Sequence, residues 1–289
     1  MRPELTTCQV REGIWQITDM DKNRAYLVCG QERAVLVDTM EGIGDLRGCV
    51  EGLTGLPVTV VLTHHHHDHV GGAYQWGEVL MSAVDDGFWD AEEADHRVVL
   101  PQLQERFGLD AADECPDCYP VVQGSRPAVR HVAEGDALEL GGRRVEVVEL
   151  PGHTLGSVGY LVQPDGLLLS GDAVTPVMTL FYADSTDIDG WEATLRKMQG
   201  LDFRTFMTGH HDREFSRDDL ASWVELAEFS KTDRGMHWVN DSLSYLRGQL
   251  HVMSPLDMDP DSEDFRGLIE REKPREHHGR RRRKQGVLP

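Results

Sequence analysis

The segment Val60-Val-Leu-Thr-His-His-His-His-Asp-His-Val-Gly-Gly72 gathers metal-binding side chains where a strand should end. Four consecutive histidines alone would mark an adventitious metal-binding tract. This run is internal, however: a β-branched strand leads into it, and Asp68, His69 and the Gly71-Gly72 pair follow it. Read as His64-x-His66-x-Asp68-His69, it offers three imidazoles and a carboxylate within six residues, with alternate residues projecting together. Four ligands on one loop cannot all close on one small ion, so the spacing predicts two neighbouring metals and further ligands from elsewhere. Three candidates each stand just after a predicted strand: His153 in Leu150-Pro-Gly-His-Thr-Leu-Gly-Ser157, Asp172 in Leu169-Ser-Gly-Asp172, and His210 in Met207-Thr-Gly-His210. Imidazole and carboxylate donors without thiolate suit zinc, with iron and manganese as the alternatives.

The elements that must position these residues are legible as short runs rich in Val, Leu and Ile bounded by Gly, Asp or Pro. They are Ala25–Cys29, Ala34–Val37, Val58–Leu62, Val145–Leu150, Leu167–Leu169 and Thr205–Met207. Helical spacing appears around Ile43–Leu53, in Trp191–Leu201 with Trp191, Leu195 and Met198 on one side, and in Leu220–Phe229 with Leu220, Trp223, Val224 and Ala227. The stretch 85–130 has a different, acidic texture. It reads as an insertion near the site, with one or two helices in Asp85–Leu109 followed by the loop-like Cys115-Pro-Asp-Cys118. Its Phe88, Trp89 and Phe107, together with Trp238 further on, are candidates for apolar substrate contact. Its Asp85, Asp86, Asp90, Glu92 and Glu93 would oppose a strongly anionic substrate, so a neutral or cationic small molecule fits better.

The chain of 289 residues, 39% hydrophobic and 27% charged, has the composition of an ordinary globular protein. The expected organisation is one domain over 1–252 and a charged, flexible tail over 253–289. No apolar run reaches the roughly 18 residues of a membrane span, and the first residues lack a signal core, which predicts a cytoplasmic protein. Cys8, Cys29, Cys49, Cys115 and Cys118 form an odd, scattered set, read as reduced thiols. From Arg271 onward eight Lys or Arg and two Glu give a charge of +6, which leaves −27 on the first 270 residues. A body that acidic repels phosphate backbones and argues against a nucleic-acid partner.

The four ligand-bearing segments, in this order from about Asp38 to His211, resemble the metallo-β-lactamase superfamily. Its members share a Thr-His-x-His-x-Asp-His-x-Gly-Gly loop, a Pro-Gly-His-Thr segment, a Ser-Gly-Asp segment and a final Gly-His. The resemblance implies an α/β fold, the αββα four-layer sandwich of two mixed β-sheets flanked by helices, with a dinuclear metal centre at one edge. It also implies that His64, His66 and His153 hold the first metal, that Asp68, His69 and His210 hold the second, and that Asp172 bridges them. Asp38, closing the strand Ala34–Val37, matches the superfamily's aspartate that orients ligands without binding metal. His65, His67 and His211 fall on variable positions, and His96, His131, His237, His251, His277 and His278 are read as ordinary polar residues.

Two such cations sharing a water would lower its pKa from about 15.7 toward about 7 and supply a metal-bridging hydroxide nucleophile. Asp68 would orient that hydroxide or collect its proton. The expected activity is metal-dependent hydrolysis of a small-molecule ester, lactone, thioester or amide. Within the superfamily, Asp172 points away from class B β-lactamases, and Thr175 stands where quorum-sensing lactonases usually place a tyrosine. Phe181-Tyr182 looks like the thiol-side segment of glyoxalase II thioesterases, which makes Tyr182 a substrate-contact candidate. Those enzymes carry a lysine where this chain has Leu180. A mono-iron persulfide dioxygenase is the alternative from another reaction class, and a non-catalytic metal-binding scaffold is the third.

Overall fold

The computed structural model describes residues 4–108, 126–239, 247–253 and 265–271. The first sheet has seven strands in sequence order: β1 (Thr6–Arg11), β2 (Ile14–Thr18), β3 (Arg24–Cys29), β4 (Ala34–Val37), β5 (Val58–Val61), β6 (Glu78–Ser82) and β7 (Ala128–Val132). Pairing is antiparallel from β1 to β4 and parallel from β4 to β7. The second sheet is built from β8 (Ala137–Glu139), β9 (Arg144–Glu149), β10 (Val158–Gln163), β11 (Leu167–Leu169), β13 (Thr205–Met207) and β14 (Phe215–Ser216), with β11 and β13 parallel. A third, four-stranded sheet runs in the order β12 (Val177–Leu180), β17 (Gly267–Arg271), β16 (Arg247–Val252) and β15 (Met236–Val239).

The period-two rule of strands explains the layering. In β3 and β4, Tyr26, Val28, Val35 and Val37 face the second sheet, where they meet Val158, Tyr160 and Val162 of β10 in one fully buried cluster. The alternate residues Ala25, Leu27, Ala34 and Leu36 point outward and are covered by Leu46 and Val50 of α1 (Leu46–Leu53). Strands buried on both faces read as continuous apolar runs, which is why these segments stand out in the sequence. On the far side of the second sheet, Leu161, Leu168 and Phe206 pack against α5 (Ile188–Gln199) and α6 (Leu220–Ser230). The order helix, sheet, sheet, helix is the sandwich that the resemblance implies.

Helix α5 begins three residues before the predicted stretch, because the Asp187 carboxylate caps it by accepting from the Gly190 N–H at 2.9 Å. The connections at one edge of the first sheet carry α2 (His67–Val70) and α3 (Ala83–Asp86), and α4 (Trp89–Phe107) follows. The expectation of one or two helices in Asp85–Leu109 is thus met, whereas Cys115 and Cys118 lie outside the described residues. Cys8, Cys29 and Cys49 are free thiols.

The C-terminal stretch differs from the flexible tail expected after residue 252. Within it, Gly267–Ile269 are buried, and β17 runs parallel to β12, its Leu268 joining the core beside α6. Arg266 places its guanidinium 4.0 Å from the centre of the Trp223 ring, and His251 of β16 lies buried between Asp233 and Glu270. These contacts seat the described residues 265–271 on the core. No described helix is long and apolar enough to cross a membrane.

Candidate metal centre

Five strand ends meet at one edge of the sandwich. Asp38 follows β4, His64 follows β5, His153 follows β9, Asp172 follows β11 and His210 follows β13. Asp38 has a left-handed backbone, φ 63°, a conformation that aspartate tolerates better than most residues. The bend turns its carboxylate back onto the histidine loop. There Oδ1 accepts from the Thr63 N–H at 2.7 Å, and Oδ2 accepts from the Thr63 hydroxyl at 2.8 Å and lies 2.8 Å from His69 Nδ1. Because His69 Nδ1–H donates to Asp38, its Nε2 is left to face the site.

All seven ligand candidates converge. Donor atoms of His64, His66 and His153 lie within 4.8 Å of one another, as do those of Asp68, His69 and His210, and those of His64, His69 and Asp172. His66 Nδ1 faces His153 Nε2 at 2.7 Å, while His153 Nδ1 donates to the Thr179 carbonyl at 2.9 Å. Asp172 sits between the two halves, with Oδ2 3.0 Å from His210 Nε2 and 3.8 Å from His153 Nε2, and Oδ1 3.5 Å from His69 Nε2. Close approach is built into the backbone: a Cβ on Gly209 would lie 2.4 Å from the His69 ring and 2.5 Å from Asp172 Oδ1.

The electrostatics divide the imidazoles. Burial and the neighbouring imidazoles hold His64 and His66 well below the usual histidine range, and burial lowers His153, so these rings present lone pairs at neutral pH. For His69 and His210 burial pulls the same way, but Asp172 and Asp68 outweigh it and push His210 up to about 10. Burial would raise the carboxyls of half-buried Asp68 and buried Asp172, but the same pairing with His69 and His210 outweighs it and holds both well below the ordinary carboxylate range. His64 Nε2 and Asp172 Oδ1 are buried without a hydrogen-bond partner. Buried unpartnered polar atoms are costly unless something else satisfies them, and this set, three neutral imidazoles, two imidazoles that would give up a proton to a metal and two ionised carboxylates, is the chemistry that a divalent cation takes. The residues fit two such ions.

Several residues packed against the cluster escape sequence reasoning. Asp85 looks there like part of an exposed acidic wall, yet it is fully buried. Its Oδ2 accepts from the His65 N–H at 3.0 Å and from the Thr154 hydroxyl at 2.9 Å, which ties the loop before α2 to the loop carrying His153. Asp184 adds a second buried carboxylate, with Oδ2 3.6 Å from His65 Nε2. His67 pairs with the buried Glu41 at 3.0 Å. The only signal for Asp85 was its place just after β6, at the same sheet edge as the histidine loop.

Beside the cluster opens a cleft of about 450 Å³ whose lining includes His66, Asp68, His153, Asp172 and His210. Phe181, Tyr182, Trp238 and Ile269 line it too. Tyr182 lies with its ring 4.1 Å from that of His66, so the structure brings this candidate to the site. Of the other aromatic candidates, Trp238 lines the cleft, whereas Trp89 is buried beneath the first sheet, Phe88 stacks on His65 and Phe107 packs beside Leu103.

The family model of the metallo-beta-lactamase superfamily matches residues 20–210. A hydroxyacylglutathione hydrolase of Haemophilus influenzae is 31% identical over 160 residues, 55% of this chain and 64% of that protein. One of Vibrio cholerae is 26% identical over 237 residues, 82% of this chain and 73% of that protein. The chain thus spans about two thirds to three quarters of the length of these relatives. A solved metallo-beta-lactamase from Pontibacter korlensis superposes with a TM-score of 0.53 at 17% identity, covering 78% of this chain and 99% of that one, which shows the shared fold. With the sandwich, the converging ligands and the sequence match in agreement, the chain belongs to the metallo-beta-lactamase superfamily.

Proposed function

We propose that this protein is a dinuclear metal-dependent hydrolase of a small acyl compound, a thioester before an ester, lactone or amide. The observation that carries the reading is the convergence of seven imidazole and carboxylate ligands, with buried atoms such as His64 Nε2 and Asp172 Oδ1 left without a hydrogen-bond partner, at the wall of an open cleft. His64, His66 and His153 would hold one ion, Asp68, His69 and His210 the other, and Asp172 both, with zinc the expected metal. Bound there, two divalent cations supply a hydroxide nucleophile at neutral pH and polarise the acyl carbonyl. The chain's own residues do the rest. Asp38 and Thr179 fix the orientations of His69 and His153 by hydrogen bonds to the ring nitrogens that face away from the ions. Asp68, 3.3 Å from His210 Nε2, is the carboxylate placed to orient the nucleophile and take up its proton. Tyr182 borders the space where the acyl group must lie. The names of the Haemophilus and Vibrio relatives support hydrolysis of an acyl thioester as the first activity to test.

The test is elemental analysis of protein purified without a histidine tag or added metal, joined to a panel of thioesters, esters and lactones. We expect about two zinc per chain and hydrolysis abolished by chelation. One iron per chain with oxygen uptake on thiol substrates would overturn the reading in favour of a dioxygenase. Full metal loading with no hydrolysis anywhere on the panel would leave only a binding scaffold.

Asp85 gives a sharper local test. Asp85→Ala removes the acceptor shared by the His65 N–H and the Thr154 hydroxyl, so the two ligand loops lose their common tie. Metal affinity measured by competitive chelation should fall roughly 10- to 100-fold, the usual cost of losing a partner that orients ligands. Asp85→Asn, which keeps one carbonyl acceptor, should restore part of it. Equal metal retention in all three proteins would show that Asp85 does not position the ligands.

A further inference from the structure

Beside the ligand cluster, the third sheet contributes an apolar wall to the cleft, and this wall constrains the substrate. β12 leads into Phe181 and Tyr182, β17 contributes Ile269 and β15 contributes Trp238. The aromatic rings form a continuous surface: Tyr182 to Phe181 at 4.3 Å between centres, and Phe181 to Trp238 at 4.9 Å. Among the described residues lining the cleft there is no Lys or Arg; the basic groups there are imidazoles. Arg271, the cation nearest in sequence to this wall, is not among the residues lining the cleft, and its guanidinium is engaged with the backbone carbonyls of Phe181 and Tyr182.

Resting on the hydrolase reading above, we infer that the substrate has an uncharged, apolar body beside its scissile carbonyl, and that an anionic thioester such as a glutathione conjugate is a poor substrate. Two independent arguments carry this. A carboxylate laid against Phe181, Trp238 and Ile269 would give up water without gaining a cation, a loss that apolar contacts do not repay. An aromatic or branched aliphatic group in the same place buries area against rings already held in position. The second argument is long-range: a net charge of −21 on the whole chain, and −27 before Arg271, repels an anion as it approaches.

The experiment uses the full, metal-loaded protein and two thioesters with the same acetyl group and leaving thiols of similar acidity, S-acetylglutathione and S-benzyl thioacetate. The benzyl thioester should be favoured at least about tenfold in kcat/KM, the discrimination expected from one well-packed apolar group. Trp238→Ala should shrink that ratio chiefly by raising KM for the benzyl thioester. Val177→Lys, which sets an ammonium on the same cleft wall, should raise kcat/KM for the glutathione thioester. Equal or better hydrolysis of S-acetylglutathione by the unmodified protein would overturn the inference and leave the hydrolase reading intact. Hydrolysis of neither, with the ester and lactone panel inert as well, would instead defeat the hydrolase reading. In that case binding of two unreactive thioethers, benzyl methyl sulfide and S-methylglutathione, decides the matter: tighter binding of the former upholds the apolar wall, and tighter binding of the latter overturns it.

Discussion

Replacing Asp172 by asparagine is expected to strip the centre of part of its metal and to lower kcat/KM by roughly a thousandfold, the order of losing a buried charge aimed at the reacting groups. The substitution keeps the side chain's volume and removes only its charge. That charge is felt by both halves of the site: Asp172 Oδ2 lies 3.0 Å from His210 Nε2 and 3.8 Å from His153 Nε2, and Oδ1 lies 3.5 Å from His69 Nε2. Because the residue is buried, water cannot take over the role. Burial would otherwise raise its pKa, yet His210 and His69 hold the carboxyl well below its ordinary value, so it is ionised across the physiological range. The amide's NH2 would also confront imidazoles with a donor where they need an acceptor. Metal per chain and kcat/KM at saturating zinc check the prediction. A variant that keeps its full metal complement and stays within about threefold of the parent kcat/KM would show that Asp172 does not join the two halves.

The ligands were legible because they stand at strand ends, and the strands were legible because both of their faces are buried. Val35 and Val37 look inward and Ala34 and Leu36 outward, yet all four are apolar, so the run announces itself. The same logic fails for the third sheet. Strand β12 exposes Val177 and Thr179 partly to the cleft, β15 is largely exposed, and β12 gains its neighbour from β17, about ninety residues further along the chain. Short strands of mixed polarity completed by distant segments leave no periodicity to read. That is also why the C-terminal stretch looked like a loose tail: its anchors, Phe265, Arg266 and Leu268, acquire meaning only against Trp223 and the core beneath it.

Polar residues show the same division. Asp38 was legible because the fold's strand-closing aspartate has a fixed place beside the histidine loop. Asp85 was not, because its partner Thr154 is 69 residues away and nothing local distinguishes a buried acceptor from the exposed acids around it. Among the aromatic candidates, proximity to the insertion was a poor guide. Trp89 and Phe107 are packing residues, and the cleft takes its ring from Trp238, on a strand that the sequence does not reveal.

Trp191→Ala should be the most destabilising single change near the site, at about 3–5 kcal/mol, the cost of emptying a buried aromatic position. Trp191 has no exposed surface and sits in the core between α5 and the second sheet, on the face opposite the first. It also touches both ligand-bearing loops. Its indole N–H donates to the Ala173 carbonyl at 3.0 Å, next to Asp172, and a Cβ on Gly152, next to His153, would lie 2.8 Å from its Cδ1. Denaturant unfolding should therefore show a lower midpoint for the alanine variant with an unchanged slope. Trp191→Phe separates the two roles: it keeps most of the packing but leaves the Ala173 carbonyl without its donor, a penalty of about 1–3 kcal/mol. If the core ring also sets the loop geometry, the phenylalanine variant will lose metal affinity and kcat/KM although it remains folded. If it loses stability alone, the loops are held by their own hydrogen bonds, Thr179 on His153 and His210 on Asp172, and the core beneath them serves the site only by being solid.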